Sequence, residues 1–419
     1  MKIWLIKDGE NLPVEPSPRK MRTWMLSEEL LRRGHSLTWW AGTFSHQQKK
    51  LLFHRNTEID IEPKFKLHLL HAGSYDKNFS IRRYIHHKKL ARRFYEAANN
   101  ANPPDLIVSA FPIIDMAYEA AVYAHRNRVP IIIDIRDLWP DIIIDLFPNV
   151  LRPLAKLALH RDAMKTADLL KKADSLVAVS SGCLQWGLKK IGRPKENNDR
   201  VFYIGYPAKK INDNHHSDII EKFIASHQDK IIFTFVGIFG ITYELLLLCD
   251  VAERLWLEGR NQIHFALAGK GELTKTISRR AAKLPNVSLL GWLNENEIHR
   301  LLSHSHVGLI PAKGGLSGFD AMPNKPFEYF STGLPIISSL EGEMEELIRK
   351  DNVGLSYKPG DFQALHGHIW EISRDESMRR QFGTNAAQLF NSKFKAEIIY
   401  GEYADHIERL FVQKHKSHD

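Results

Sequence analysis

Two cysteines in 419 residues, Cys183 and Cys249, leave no basis for a disulfide framework. Neither has the second cysteine or spaced histidine that a zinc site needs, so no metal site is expected. The pattern is that of a cytoplasmic chain. No run of about 18 uncharged apolar residues occurs, which argues against a membrane-spanning helix. The opening MKIWLIKDGE has an apolar stretch too short for a secretion signal and reads as a first strand. Asp-x-Asp, Gly-x-x-x-x-Gly-Lys-Ser/Thr, Gly-x-Gly-x-x-Gly and a nucleophile elbow are all missing. Those gaps count against P-loop, dinucleotide-dependent and serine-hydrolase chemistry. No internal repeat of about 20–50 residues and no low-complexity tract is visible.

What is present is an ordinary globular composition, 43% apolar and 26% charged, over a length that suggests two or three cores. The net charge of +9 favours anionic partners. Its most concentrated source is residues 77–93, KNFSIRRYIHHKKLARR, with seven Lys/Arg and no acid. A nucleic-acid-binding protein is one reading of that charge, but no helix-turn-helix, zinc-finger or RNA-binding signature accompanies it. The doublets His86-His87 and His215-His216 read as solvent-facing.

Strand and helix patterns alternate in two series. The first has strands at IWLI (3–6), HSLTWWAG (35–42), LHLLHA (67–72), DLIVSAF (105–111), PIIIDIRD (130–137), SLVAVS (175–180) and RVFYIGYP (200–207). A helix over 19–34, stopped by Gly34, and a helical stretch over 151–172 lie between them. A polar linker and a helix occupy 208–229. The second series has strands at KIIFTFVG (230–237), IHFALAG (263–269), NVSLLGW (286–292), HVGLIP (306–311), LPIISS (334–339) and VGLSYK (353–358), and a last helix covers roughly 390–414. The expectation is α/β: two doubly wound, Rossmann-like domains, 1–207 and 208–392, with a helix and basic tail (393–419) packing back on the first. Ligands of such sheets lie beyond the strand C-termini, and with two domains the cleft between them is the expected place.

The loop after HVGLIP, residues 311–325, sits at such a position. Pro326 suits a first helical residue, with Phe327-Glu328-Tyr329 in the first turn and Gly333 as the stop. A helix N-terminus favours a phosphate, and Lys325 adds a full charge beside it. Glu328 could accept two hydrogen bonds from a vicinal diol such as a ribose, with Asp320 facing the group attached to the phosphate. That set would bind a nucleotide diphosphate carrying a sugar. Alone, Glu328 also fits as a complement to the helix dipole and Asp320 as a turn cap; the surrounding Gly-Gly, Ser-Gly and Pro-Asn-Lys-Pro favour the ligand reading.

The stretch GFDAMPNKPFEYFSTGLPIISS resembles the E-x(7)-E region of glycosyltransferase family 4, with Asp320 and Glu328 at that spacing. RKMRTWMLSEELLRRGHSLTWWAGTFSH, VPIIIDIRDLWPD, VAVSSGCLQWGLKK, LAGKGE, NVSLLGWLNENEI and VGLSYKPGD extend the likeness, in order, to bacterial capsule and O-antigen polysaccharide members. The resemblance implies a GT-B fold, two Rossmann-like domains facing a central cleft, and a metal-independent, retaining transfer with no cofactor. The donor would be a nucleotide-sugar, a UDP-sugar first, and the acceptor a lipid-diphosphate-linked saccharide at the inner face of the cytoplasmic membrane. It implies Glu328 on the ribose, Asp320 near the donor sugar, and Ala321, Met322 and Pro323 approaching through backbone, with Asn324 beside them. The Gly240 turn would hold the diphosphate, and Gly291-Trp292-Leu293 the base through main-chain groups. Two departures stand out: Asp320 replaces a glutamate, and the first loop, VGIFGITYE, lacks the family's cation. Lys325 is therefore expected to supply that charge. On the acceptor side the candidates are Arg22, His46, Arg136 and Asp137, the last also fitting as an N-cap. Arg82, Arg83, Lys88, Lys89, Arg92 and Arg93, with Phe79 and Tyr84, suit an anionic membrane surface. A sugar-nucleotide 2-epimerase of the same fold and a catalytically silent scaffold are the alternatives.

Overall fold

Runs rich in Ile, Val and Leu form the centres of two parallel sheets, because strands covered on both faces have no polar side to show. In a computed structural model, residues 1–16, 19–77, 80–145, 147–207, 217–315 and 322–416 are described. The chain divides into two units, Met1–Tyr203 with Glu397–Asp419, and Ile204–Ala396. These divisions differ by a few residues from the compositional boundaries, because Tyr206 pairs with Lys395 inside the second unit.

The first unit holds an eight-stranded sheet. Its strands are β1 (Lys2–Ile6), β2 (Ser36–Gly42), β3 (Thr57–Glu62), β4 (Phe65–Leu70), β5 (Leu106–Phe111), β6 (Ile131–Ile135), β7 (Ser175–Ala178) and β8 (Arg200–Val201). Their order is β8-β7-β6-β5-β1-β2-β4-β3, parallel except for the last pair. The helices that matter below are α1 (Arg22–Arg32), α2 (Ile81–Ala98), α3 (Arg152–Ala158) and α4 (His160–Lys171). The second unit has β9 (Ile231–Val236), β10 (Ile263–Ala268), β11 (Val287–Gly291), β12 (Val307–Ile310), β13 (Ile336–Ser338) and β14 (Gly354–Ser356), in the order β11-β10-β9-β12-β13-β14, all parallel. Its site helix is α5 (Asn324–Phe330), and α6 (Ala396–Lys416) closes the chain.

Several expectations are corrected. The strand read over 200–207 shrinks to two residues at the sheet edge: the carbonyls of Phe202 and Tyr203 are taken by Arg22, and Tyr206 pairs with Lys395 of the second unit. Thr57–Glu62 is an edge strand that was not anticipated. The stretch 151–172 is two helices meeting at Leu159, and Phe390–Phe394 is a π-helical turn ahead of α6.

A charge lies inside the first sheet. Asp134, in the fully buried β6 sequence IIIDI, accepts from Arg22 Nε at 2.9 Å and Nη2 at 3.1 Å, and from Arg136 Nε at 2.8 Å. Arg22 Nη1 donates to the carbonyls of Phe202 and Tyr203 at 2.8 and 2.9 Å, and its guanidinium lies over the Tyr403 ring of α6. Arg136 continues the network to Glu10 and to Thr23 Oγ1. Burial pushes against ionisation of Asp134, but the two guanidiniums outweigh it and hold its carboxyl below the usual range. Removing the carboxylate leaves buried cations uncompensated. Asp134→Asn is expected to destabilise the protein by about 3–5 kcal/mol, read as a fall in the urea unfolding midpoint.

Candidate active site

In the second unit, α5 is seated by one aromatic. Tyr329 Oη accepts from Val236 N at 3.0 Å and donates to Leu309 O at 3.4 Å, joining the ends of β9 and β12. Its ring occupies the space a side chain at Gly308 would fill: a Cβ there would lie 2.4 Å from Tyr329 Cδ2. One turn earlier on the same face, Lys325 is brought to the end of β9. Its Nζ donates to Tyr243 Oη at 2.7 Å and lies 4.1 Å from the Tyr243 ring centroid and 5.4 Å from that of Phe235. The lysine tip covers Gly237, where a Cβ would sit 2.5 Å from Lys325 Cε and 2.6 Å from Nζ. Gly237 has φ +155°, so both its conformation and its lack of a side chain are used.

Glu328 is 4% exposed and accepts from Tyr206 Oη at 2.9 Å through Oε1. Tyr206 is itself held by Phe394, whose carbonyl accepts its N–H at 3.0 Å. Asn324 is exposed, Pro323 half-buried and Met322 buried. The helix starts at Asn324, two residues before the expected Pro326. Proline is tolerated there because the N–H groups of a first turn have no intrahelical partner. Gly333 adopts φ +69° just beyond the helix. Gly240 lies in a tight turn with its N–H on Ile238 O at 2.9 Å; Leu293 is buried and Trp292 projects outward. Asp320 and Ala321 lie outside the described residues, as do Phe79 and His215-His216.

In the first unit, a second polar cluster sits just beyond the C-terminal ends of β2 and β4. His46 Nδ1 and Tyr75 Oη are 2.7 Å apart, with Lys49 Nζ 3.4 Å from the same ring nitrogen. Arg83 Nε donates to His87 Nε2 at 3.4 Å, and its guanidinium lies over Tyr75 at 5.7 Å and Trp139 at 5.2 Å. His86 and His87 are buried, which corrects their solvent-facing reading: they share the inner face of α2 with Leu90, Ala91 and Phe94. Arg83, one turn earlier, points the same way and so stands apart from Arg82, Lys88, Lys89, Arg92 and Arg93, which are exposed. Asp76 and Glu96 pair with part of that exposed set. Asp137 Oδ1 accepts from Leu138 N at 2.8 Å, and burial pushes its carboxyl up. Arg22 and Arg136 are the buried partners of Asp134 described above, Arg22 with four of its N–H bonds made inside the unit. Tyr206, Tyr243, Lys49, Tyr75 and His87 carried no motif in the sequence. Only the basic 77–93 run, read with helical spacing, could have turned Arg83 and His87 to one face.

Residues 217–389 match the family described as Glycosyl transferases group 1. The fold is of the GT-B class, two Rossmann-like units, and the stretch that resembles group 1 glycosyltransferases lies within the second of them. Among curated proteins, the amylovoran biosynthesis glycosyltransferase AmsK of Erwinia amylovora is 26% identical over 225 residues, covering 50% of this chain and 54% of AmsK. The chain spans little more than half the length of the curated relatives it matches. Among solved structures, a sucrose-phosphate synthase of Thermosynechococcus elongatus superposes with a TM-score of 0.74 at 16% identity, covering 98% and 99% of the two chains. Anabaena HepE in complex with UDP gives 0.69 at 14% identity, covering 97% and 99%. These two likenesses are of fold.

Burial holds His46 down at about 4 and His87 at about 3, and does the same, to about 4, for His264 and His406. The unfolded chain binds protons at these sites from about pH 6.5 downward, whereas the folded chain does not until about pH 4. Stability is therefore expected to be full above pH 6.5 and to fall as pH drops toward 4. Each histidine contributes at most about 1.4 kcal/mol per pH unit. Urea midpoints measured at a series of pH values check this.

Proposed function

We propose that the chain is a retaining glycosyltransferase of family 4, moving a sugar from a nucleotide-sugar, a UDP-sugar first, to a lipid-diphosphate-linked saccharide in bacterial surface polysaccharide synthesis. The observation that carries the reading is Lys325 lying on Gly237 at the end of β9, with Glu328 less than one turn further along the same helix. The domain match over these residues, the UDP complex of a protein with this fold and a relative named for amylovoran biosynthesis support it.

Breaking the sugar–phosphate bond leaves negative charge on the departing diphosphate. Lys325 supplies the compensating charge there, in the role of the cation that the loop VGIFGITYE lacks. Glu328, oriented by Tyr206, accepts from the ribose hydroxyls. The Gly240 turn, Met322, Pro323 and Asn324 line the donor, and the main chain around Leu293 receives the base. Asp320 and Ala321 complete the donor side in this reading. The acceptor hydroxyl attacks the face from which the diphosphate leaves, and the diphosphate takes its proton. No metal is required. On the acceptor side, His46 and Asp137 are joined by Arg83, Lys49 and His87, whose cations and neutral imidazoles suit an anionic acceptor group. Arg22 and Arg136 act there as positioning residues through Asp134. The enzyme works at the inner face of the cytoplasmic membrane, held there by the exposed cations of α2.

Calorimetric titration with UDP, GDP and dTDP is expected to show tight binding of one nucleotide. Glu328→Gln should weaken it by about tenfold or more, about 1.4 kcal/mol. Lys325→Ala should weaken a nucleoside diphosphate much more than the nucleoside. Absence of binding for all three nucleotides would overturn the reading. Transfer assayed with EDTA should proceed at the rate without it; a loss of activity restored by a divalent ion would overturn the metal-free mechanism.

A further inference from the structure

Large apolar side chains that face water are concentrated in one part of the first unit. Phe147, Val150, Leu151, Leu154, Leu157 and Met164 are all exposed, Val150 at 87%, Leu154 at 65% and Leu157 at 74%. Isolated exposed apolar residues are ordinary; six within 18 consecutive residues form a patch. The spacing of Val150, Leu154 and Leu157, i, i+4 and i+7, makes a single stripe on the 149–158 helical segment. Such a stripe normally faces a core, yet here the only buried residue of α3 is Ala155. The stripe is turned outward.

The patch continues on α2. Tyr84 Oη donates to Asp162 Oδ1 of α4 at 3.4 Å, so the two helices are neighbours. Beside Tyr84, Ile81 and Ile85 are also exposed, Ile81 at 79%. The same α3–α4 segment carries Lys156 and Arg161, both exposed, and the half-buried Arg152, and α2 carries the exposed Arg82, Lys88 and Lys89. From 147 to 165 the sequence holds four Lys/Arg and one acid, Asp162.

We infer that the α3–α4 segment is a membrane-inserting element, whose leucines and valine enter the interfacial region of an anionic lipid surface while the cations of α2, α3 and α4 meet its headgroups. Outward apolar knobs accompanied by positive charge are what such an interface selects, since apolar burial holds the protein and charge draws it in. A surface that used only the basic run of α2 would be released by salt; one that also buries Leu154 and Leu157 is retained in part. The inference deepens the lipid-linked acceptor reading. Its test contains no sugar nucleotide, so vesicle binding and donor binding succeed or fail separately.

The full chain is sedimented with vesicles of phosphatidylcholine containing about 30 mol % phosphatidylglycerol, at low and high salt, beside the variant Leu154→Ser/Leu157→Ser. Both positions are exposed, so the fold should be kept, which far-UV circular dichroism and the urea midpoint verify. The expected result is vesicle binding by the wild type that survives high salt in part, weakened about tenfold or more in the variant. Three results would overturn the inference: a wild-type chain that stays in the supernatant, a variant that binds equally, or a wild-type dimer in velocity sedimentation that the variant converts to monomer. The last would make the patch an interface between two copies.

Discussion

A single carboxylate set in the middle of an isoleucine strand governs the first unit. Asp134 cannot stay ionised inside the sheet unless cations reach it from elsewhere in the chain, and two do: Arg22 from the start of α1 and Arg136 from the end of its own strand. Their remaining N–H groups then fix the carbonyls of Phe202 and Tyr203, Thr23 and Glu10. One buried charge thereby sets the position of α1, the segment after β8 and the loop after β1. Such a network is more a device of specificity than of net stabilisation, because an apolar core of the same volume would avoid the desolvation. Its value is that it leaves the strand ends, where the His46–Tyr75–Arg83 cluster stands, in one arrangement.

The second unit solves the matching problem with shape. Gly308 gives up a side chain so that Tyr329 can lie against the sheet, and Gly237 gives one up so that the tip of Lys325 can lie against the chain. A short helix pinned at Tyr329 presents Lys325 and Glu328 with little freedom left in either. The backbone positions that look permissive in sequence, the glycines after and within the strands, are therefore the ones that fix where charge is placed.

The alternation of strands and helices was legible because both sheets are parallel and their strands are continuous apolar runs. Helix boundaries followed where glycine or a polar break marked them, as at Gly333. What the sequence hid has definite causes. Thr57–Glu62 alternates polar and apolar residues at a sheet edge and carries little hydrophobic signal. Tyr206 and Tyr243 meet Glu328 and Lys325 across 122 and 82 residues of chain, distances that no local motif spans. The stripe of Val150, Leu154 and Leu157 has the same periodicity whether it faces a core or the solvent, so spacing reveals a face without saying which way it points. For the same reason helical spacing in the basic run could group Arg83 and His87 on one face without saying that this face turns inward.

The first unit is discontinuous: it opens with residues 1–203 and is finished only by Glu397 onward, with the whole of the second unit between. Tyr400 and Tyr403 of α6 are part of the burial around Arg22 and Asp134. During synthesis, then, the second unit has all its residues before the first does. The ribosome must carry on for nearly two hundred residues while the charge inside the first sheet waits, incompletely covered, for its last helix. The two units are completed in the reverse of the order in which they begin, and a chain cut short before α6 would leave the Arg22–Asp134 pair without Tyr400 and Tyr403 over it.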